Sequence, residues 1–256
     1  MITTLVVLQH VDREGPGVIA ELAQERGLSL EIVRPDRGDP LPDPAGCEHC
    51  IALVLGGPMS VSDIGEAGMD WLKTELNWLA AWHQLRRPVL GICLGAQLLA
   101  VAAGGHVEPL QVGSPPTGLK EVGVGAIHWW AQPDETPLLR GLAPSENVLH
   151  WHGDRIRLPA GATLLASSLH CREQVFRIDD HAIGLQCHLE LNQVGLERWI
   201  REDHDYVVSA RGPQGPDELR EQWRRLGAGI EHQGRRLFLN VLDQWTSSTV
   251  TIATKP

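Results

Sequence analysis

The chain has 256 residues, which at ~150 residues per domain means one large domain, or one domain with an appendage. Hydrophobic residues at 43% and charged residues at 21% are globular proportions and exclude a disordered or fibrous chain. A net charge of −10 disfavours non-specific binding to nucleic acid or to an anionic membrane surface, both of which need basic patches.

Residues 1–10 lack the basic segment and small-residue cleavage site of a secretory signal. They read as a first strand, with Leu5–Leu8 as a continuous apolar run. A turn at Glu14-Gly15-Pro16-Gly17 leads into a helix through Val18, Ile19, Leu22 and Ala23 that closes at Gly27. A second strand is expected at 28–33, a loop rich in proline, glycine and aspartate at 34–50, and a buried strand at 51–55. A helix follows over 67–86, with Trp71, Leu72, Leu76, Leu79 and Trp82 on helical spacing. Then come a strand at 88–92 and a helix at 94–103, stopped by Gly104-Gly105. From 106 to 187 the pattern changes to short strands at 119–127, 147–151, 162–167, 174–178 and 182–187. Residues 191–245 are helical again, with Leu219, Trp223, Leu226, Ile230, Leu237, Val241 and Trp245 on one face. No run of about 18 apolar residues occurs, so no membrane span is expected.

The alternation of strands and helices predicts an α/β fold: a three-layer, flavodoxin-like, mostly parallel sheet with flanking helices, plus a C-terminal helical extension. The expected division is 1–190 for the main domain, 191–245 for the helical extension and 246–256 for a flexible tail. Whether the extension caps the sheet, covers a site or forms a homo-oligomer is left open.

Five cysteines stand at 47, 50, 93, 171 and 187. An odd count without a signal peptide points to a reducing, cytoplasmic setting rather than a disulfide framework. Cys47 and Cys50 flank His49 in a C-x-x-C. A zinc site would need a second ligand pair at matching spacing, and none is evident, so neither a metal nor a cofactor is expected.

The sharpest local signal is Gly91-Ile92-Cys93-Leu94-Gly95, entered by a strand and left by a helix. It is the cysteine form of the nucleophile elbow. The tight turn needs small flanking residues, and the N-terminus of the following helix favours a thiolate. A nucleophilic thiol also needs a base and a group that orients the base. His188 and Glu190 follow the apolar strand 182–187 and stand two apart, so in an extended chain they face the same side. Gly56-Gly57-Pro58 ends another strand, at the sheet edge where open α/β sheets bind ligands. Taken singly, each has a plainer reading: a packed thiol, a surface H-x-E, an ordinary turn.

Together and in this order, L-G-G-P-M-S, P-V-L-G-I-C-L-G-A-Q-L-L-A and G-L-Q-C-H-L-E resemble the class I (triad) glutamine amidotransferase family. His150-Trp151-His152-Gly153-Asp154 and Leu165-Ala166-Ser167-Ser168 look like further family segments. The likeness runs over residues 5–190. It is nearest to the glutaminase domain of GMP synthase and to stand-alone proteins similar to it, the latter through Gln9-His10 and Glu14-Gly15-Pro16-Gly17. The resemblance implies Cys93 as nucleophile on the γ-carboxamide of glutamine, His188 as base and then acid, and Glu190 as its orienting partner. It implies backbone amides of Gly57 and Leu94 as the oxyanion hole, and Gly57, Pro58 and Gln97 as substrate-binding residues. Two positions depart from the family: Leu189 stands where proline is usual, and Cys187, read as structural, where phenylalanine is frequent.

Three functions are open. A glutaminase would pass ammonia to a synthase; the 66 residues after 190 are too few for an ATP-pyrophosphatase domain, so the acceptor would be a separate chain. A γ-glutamyl hydrolase or peptidase would use the same thioester chemistry on other γ-glutamyl amides. Trp129, Trp130 and Trp151 either line its leaving-group pocket or, the plainer reading, pack in the core. A binding or regulatory protein would keep the fold without the chemistry.

Overall fold

The computed structural model describes residues 1–131 and 136–246. The first half alternates as the sequence predicts: β1 (Thr4–Leu8), α1 (Gly17–Glu25), β2 (Ser29–Val33), β3 (Cys50–Val54), α2 (Asp70–Gln84), β4 (Val89–Ile92) and α3 (Leu94–Ala102). Short strands follow: β5 (His106–Pro109), β6 (Gln111–Val112), β7 (Thr117–Gly118), β8 (Glu121–Trp129), β9 (Ser145–His152), β10 (Asp154–Arg157), β11 (Ala162–Ser167), β12 (Val175–Ile178) and β13 (Ala182–Leu185). The chain then turns helical through α4 (Gln193–Glu202), α5 (His204–Arg211) and α6 (Gly215–Thr246).

Nine strands form one sheet in the order β2-β1-β3-β4-β13-β12-β11-β8-β9. The half from β2 to β13 is parallel, and β12, β11, β8 and β9 continue it antiparallel. Side chains alternate across the sheet, so each buried strand feeds two cores. Leu5 and Val7 of β1 pack with Ile19 and Leu22 of α1 and Leu237 and Val241 of α6. Val6 and Leu8 pack on the other face with Leu72, Leu79 and Trp82 of α2 and Leu98 and Leu99 of α3. This is the expected three-layer α/β arrangement. None of the described helices is long and apolar enough to cross a membrane.

The parallel order places the carboxyl ends of β1, β3, β4 and β13 side by side. Four segments therefore leave one edge of the sheet together: His10 after β1, Gly56-Gly57 after β3, Cys93 after β4 and His188 after β13.

Some details differ from the sequence reading. Strands β5 and β10 pair as a small separate ribbon, too short and polar to show a period. The 34–50 loop carries two 3-10 turns, at Pro35–Arg37 and Pro44–Gly46. Leu226 lies off the buried face of α6, 38% exposed. The buried position in that turn is Gly227, against which the Trp223 indole lies flat enough that a Cβ would overlap it. Helix α6 runs through Thr246; the rest of the expected tail, 247–256, lies outside the described residues.

One glycine in α6 is set by the site. At Gly234 a Cβ would overlap the carbonyl oxygen of Leu189, the residue between His188 and Glu190. Gly229 in the same helix faces open space. Gly234→Ala is expected to lower the unfolding free energy by about 1–3 kcal/mol, the usual cost of overpacking. Gly229→Ala is expected to raise it by about 0.5–1 kcal/mol through helix propensity alone. Urea unfolding of both variants beside the parent chain checks the contrast; equal effects would contradict the close approach.

Candidate active site

Cys93 is the N-cap of α3 and has φ 51°, ψ −108°. A non-glycine residue in this region is strained and is held by its surroundings. The turn is pinned by Cys93 N–H to the Leu185 carbonyl (2.7 Å), Gly95 N–H to the Leu55 carbonyl (3.1 Å) and Gln97 N–H to the Cys93 carbonyl (3.0 Å). A Cβ on Gly91 would crowd the backbone of Gly95, and a Cβ on Gly95 would overlap the Val54 carbonyl, so no larger residue fits either position. Leu94 opens the helix, and its amide is among those a helix leaves without an intrahelical acceptor.

His188 is buried directly after β13. Its backbone pairs with Leu149 of β9 in both directions, at 2.8 and 3.1 Å. The imidazole Nδ1 faces Glu190 Oε1 at 2.7 Å, so Nδ1 carries a proton and Nε2 is free to interact with the Cys93 thiol. The other Glu190 oxygen accepts from the Leu189 amide at 2.9 Å. Burial works against a charged imidazole here, but the Glu190 carboxylate and the hydrogen bonds with Cys93 and Glu190 outweigh it and hold the pKa of His188 well above its ordinary value. The Glu190 carbonyl in turn accepts from the amide of Val18, in the first turn of α1, at 3.0 Å. The Glu14-to-Gly17 turn thus docks against the H-x-E segment.

Cys93, His188 and Glu190 therefore meet, although 95 residues separate the thiol from the imidazole in the chain. Gly57, Pro58, Leu94 and Gln97 line the same cavity as Cys93 and His188, about 710 Å³ in volume. Gln97 donates to Gln186 Oε1 at 3.1 Å, and the Gln186 amide nitrogen stands 3.6 Å from the Cys93 sulfur. Gln186 stands in the G-L-Q-C-H-L-E segment without a role of its own there, yet the strand period that pairs His188 with Glu190 reaches it as well.

The helices after residue 190 contribute to the site directly. The Trp199 ring meets the His188 imidazole edge to face, with centroids 4.8 Å apart at 89°. Its N–H donates to the Arg13 carbonyl at 2.9 Å. Trp151, whose carbonyl lies 3.9 Å from the Cys93 sulfur, donates its indole N–H to Asp203 at 2.8 Å. Asp203 and Tyr206 line the cavity. Of the three tryptophans offered by the sequence as a leaving-group pocket, Trp151 lines the cavity, Trp129 is buried in the core and Trp130 is 62% exposed.

Glu14 is a further buried carboxyl at the cavity wall. Burial pushes its pKa up, against the nearby positive charges of His188 and Arg13. Cys47 and Cys50 lie far along β3 from this edge, and burial raises the Cys47 thiol to about 11. Among the described residues, the group that offers a metal three ligands is Glu121, His150 and His152, all buried, with His152 also lining the cavity. As the chain stands, Glu121 and His152 bond to protein, whereas His150 Nδ1 is buried without a hydrogen-bond partner. Glu121 Oε2 accepts from Gln174 (2.8 Å) and Ser168 (3.0 Å), and it lies 3.1 Å from His152 Nε2. Cys187 is wholly buried, and burial drives its thiol pKa far upward, which fits a packing role.

A chain with an elbow cysteine and a carboxylate-held histidine at the carboxyl edge of a parallel sheet is similar to known enzymes along most of its length. The sequence profile of the family Glutamine amidotransferase class-I matches residues 17–197, and the chain belongs to that family. It is 30% identical over 207 residues to the glutamine amidotransferase-like protein YfeJ of Salmonella typhimurium, covering 79% of this chain and 82% of that one. It is 36% identical over 149 residues to a glutamine-hydrolysing GMP synthase subunit of Sulfolobus acidocaldarius, covering 56% and 69%. Among solved structures, a glutamine amidotransferase from Thermotoga maritima superposes with a TM-score of 0.80 at 26% identity, covering 95% of this chain and 99% of that one.

The strand that carries the Trp151 carbonyl also carries a pH-sensitive side chain. Burial holds the pKa of His150 down at about 4, helped by the neighbouring His152 and His188 and opposed by Glu121. The unfolded chain takes up this proton near 6.5 and the folded chain refuses it until about 4. Stability from this source is therefore intact above 6.5 and is lost as pH falls through that window. Relative to His150→Gln, the parent chain is expected to lose up to about 3 kcal/mol between pH 7.5 and 4. Urea unfolding of both at the two pH values measures the difference; parallel pH profiles would refute it.

Proposed function

We propose that the chain hydrolyses the γ-carboxamide of glutamine to glutamate and ammonia through a γ-glutamyl thioester on Cys93. The observation that carries this reading is the continuous arrangement of Glu190, His188 and Cys93, with the thiol at a strained strand–helix turn. His188 Nε2 takes the thiol proton before the attack, as its raised pKa favours, and the thiolate left behind attacks the carboxamide carbon. The imidazolium formed is stabilised by Glu190, which also fixes the tautomer. The carbonyl oxygen becomes an oxyanion and is met by the amides of Leu94 and Gly57. Collapse of this intermediate breaks the C–N bond, and His188 returns its proton to the departing ammonia. Water, deprotonated by the same imidazole, then attacks the thioester, and glutamate leaves with the thiol restored. Pro58 and Gln97 line the cavity where the glutamyl portion would rest.

The similarity to proteins named as glutamine-hydrolysing GMP synthase subunits supports a role as ammonia donor to a synthase on a separate chain. A second reading is favoured by the cavity itself. Beyond Cys93 it continues past Lys120 to Tyr206, Ser209 and Ala210 on α5. That space would admit a leaving amine larger than ammonia, as in hydrolysis of γ-glutamyl amides or peptides.

A glutamine-analogue diazoketone is expected to add one equivalent of label at Cys93, detected by mass spectrometry of the tryptic peptide. Cys93→Ala is expected to take up no label and to have no glutaminase activity. Glu190→Gln is expected to lower kcat by ~10²–10⁴, because the imidazole loses its orienting charge. A parent chain that neither labels nor releases ammonia would overturn the proposal. Turnover of a γ-glutamyl amide panel, with and without a candidate synthase, separates the two readings: stimulation by the synthase favours the first, and faster cleavage of larger amides the second.

A further inference from the structure

Outside the triad lies another buried histidine–carboxylate pair, this one beside the Gly56-Gly57 turn. His10 follows β1 and Glu75 lies in the middle of α2; both side chains are fully shielded from solvent. His10 Nε2 stands 2.9 and 3.0 Å from the two Glu75 oxygens, and His10 Nδ1 stands 3.0 Å from the carbonyl oxygen of Gly56. The Trp71 indole stacks on the imidazole at 5.6 Å and 26°. A carbonyl oxygen only accepts, so Nδ1 must carry a proton whichever of His10 and Glu75 holds the shared one. His10 is therefore a fixed donor to Gly56, and Glu75 holds the ring in that orientation.

The acceptor is what gives this pair a role. Gly56 contributes the carbonyl, and Gly57 the N–H, of one trans peptide unit. In a trans unit these two groups point in opposite directions. Fixing the carbonyl on His10 therefore aims the Gly57 N–H away from His10. Gly57 lines the cavity with Cys93, whereas His10 is not part of its wall. The other side of Gly56 faces the chemistry: a Cβ built there would lie 3.4 Å from both Cys93 Cβ and His188 Cε1, and would overlap the Glu14 carboxylate. Two adjacent glycines could turn this peptide over at little steric cost. With the carbonyl turned inward, an acceptor would face the developing oxyanion. The buried His10 donor opposes that rotation directly, because turning the peptide breaks its hydrogen bond.

We infer that His10, held by Glu75, is a positioning residue for the oxyanion hole: by binding the Gly56 carbonyl it keeps the Gly57 amide aimed at the reacting carbonyl oxygen. This rests on the glutaminase reading given above. His10 touches neither substrate nor sulfur and acts only through the peptide plane. Burial disfavours the imidazolium, but the Glu75 charge and the hydrogen bonds to Glu75 and Gly56 raise the pKa of His10 and keep the ring doubly bonded.

Two substitutions separate the two nitrogens. The amide nitrogen of His10→Asn can take the position of Nδ1 and keep the bond to Gly56. That of His10→Gln can take the position of Nε2 and keep only the side toward Glu75. Each is compared with the parent chain in glutamine hydrolysis and in alkylation of Cys93 by iodoacetamide. Alkylation forms the S–C bond and expels iodide at a saturated carbon, so no oxyanion arises and the hole is not needed. His10→Gln is expected to lose ~10²–10³ in kcat, the usual cost of one oxyanion donor, with KM within about threefold and alkylation unchanged. His10→Asn is expected to recover at least about tenfold of that loss. The inference is overturned by a His10→Gln kcat within threefold of the parent, by His10→Asn no better than His10→Gln, or by alkylation falling in step with kcat, which would mean general collapse of the site. A parent chain that does not turn over glutamine removes the reading and the inference together, and is distinguished from these outcomes by the parent assay alone.

Discussion

The site depends on one constraint: Cys93 must hold a left-handed backbone conformation between a buried strand and a buried helix. Such a residue costs of order 1–3 kcal/mol, and the cost is met only if neighbouring structure leaves no alternative. Here that structure is the sheet itself. The Cys93 amide is bonded to the residue that ends β13, and the Gly95 amide to the residue that follows β3. The elbow is thus clamped between the two strands flanking β4, and those strands deliver His188 on one side and Gly56-Gly57 on the other. Geometry at the sulfur and geometry of its partners come from the same hydrogen bonds.

The C-terminal helices close this arrangement from two directions. Helix α6 lies behind the H-x-E segment, touching the Leu189 carbonyl at Gly234, and shares one continuous core with β1 and α1. Helices α4 and α5 lie in front and bring Trp199 to the face of His188 and Asp203 to the Trp151 indole. Leu189, where the family usually has proline, is buried in this packing. The backbone there is held by the Leu149 pairing and by the Glu190 oxygen on the Leu189 amide, so its direction does not need a ring to set it.

What could be seen in the sequence was what is local. The glycine–cysteine–glycine turn, the two-residue spacing of His188 and Glu190, and the strand–helix alternation through α3 each express a short-range rule, and the structure has these elements within a few residues of their expected bounds. What escaped was what depends on distant contacts. His10 and Glu75 are 65 residues apart, and neither has a neighbour that announces the other. Trp199 stands on an amphipathic helix where an aromatic residue reads as packing. The turn at Leu226 misled because the buried position was a glycine, which carries no apolar signal. Ribbon β5–β10 buries a single apolar pair, Val107 and Ile156, among polar neighbours, which is too little to show a period in either segment.

The strand order has a consequence for how the protein comes into being. Strand β13 lies beside β4 in the sheet, but it is made about 90 residues later, after β5 to β12. As the chain leaves the ribosome, β1 to β4 can pair early, yet β4 then presents an open, apolar edge until β13 arrives. The elbow thiol sits at the end of that edge. Its backbone clamp to Leu185 and its histidine come with the same late segment, so the nascent elbow lacks both until the edge is closed. Strand insertion at the middle of the sheet thus acts as a timer, coupling burial of an aggregation-prone edge to the arrival of the groups that would make the sulfur reactive.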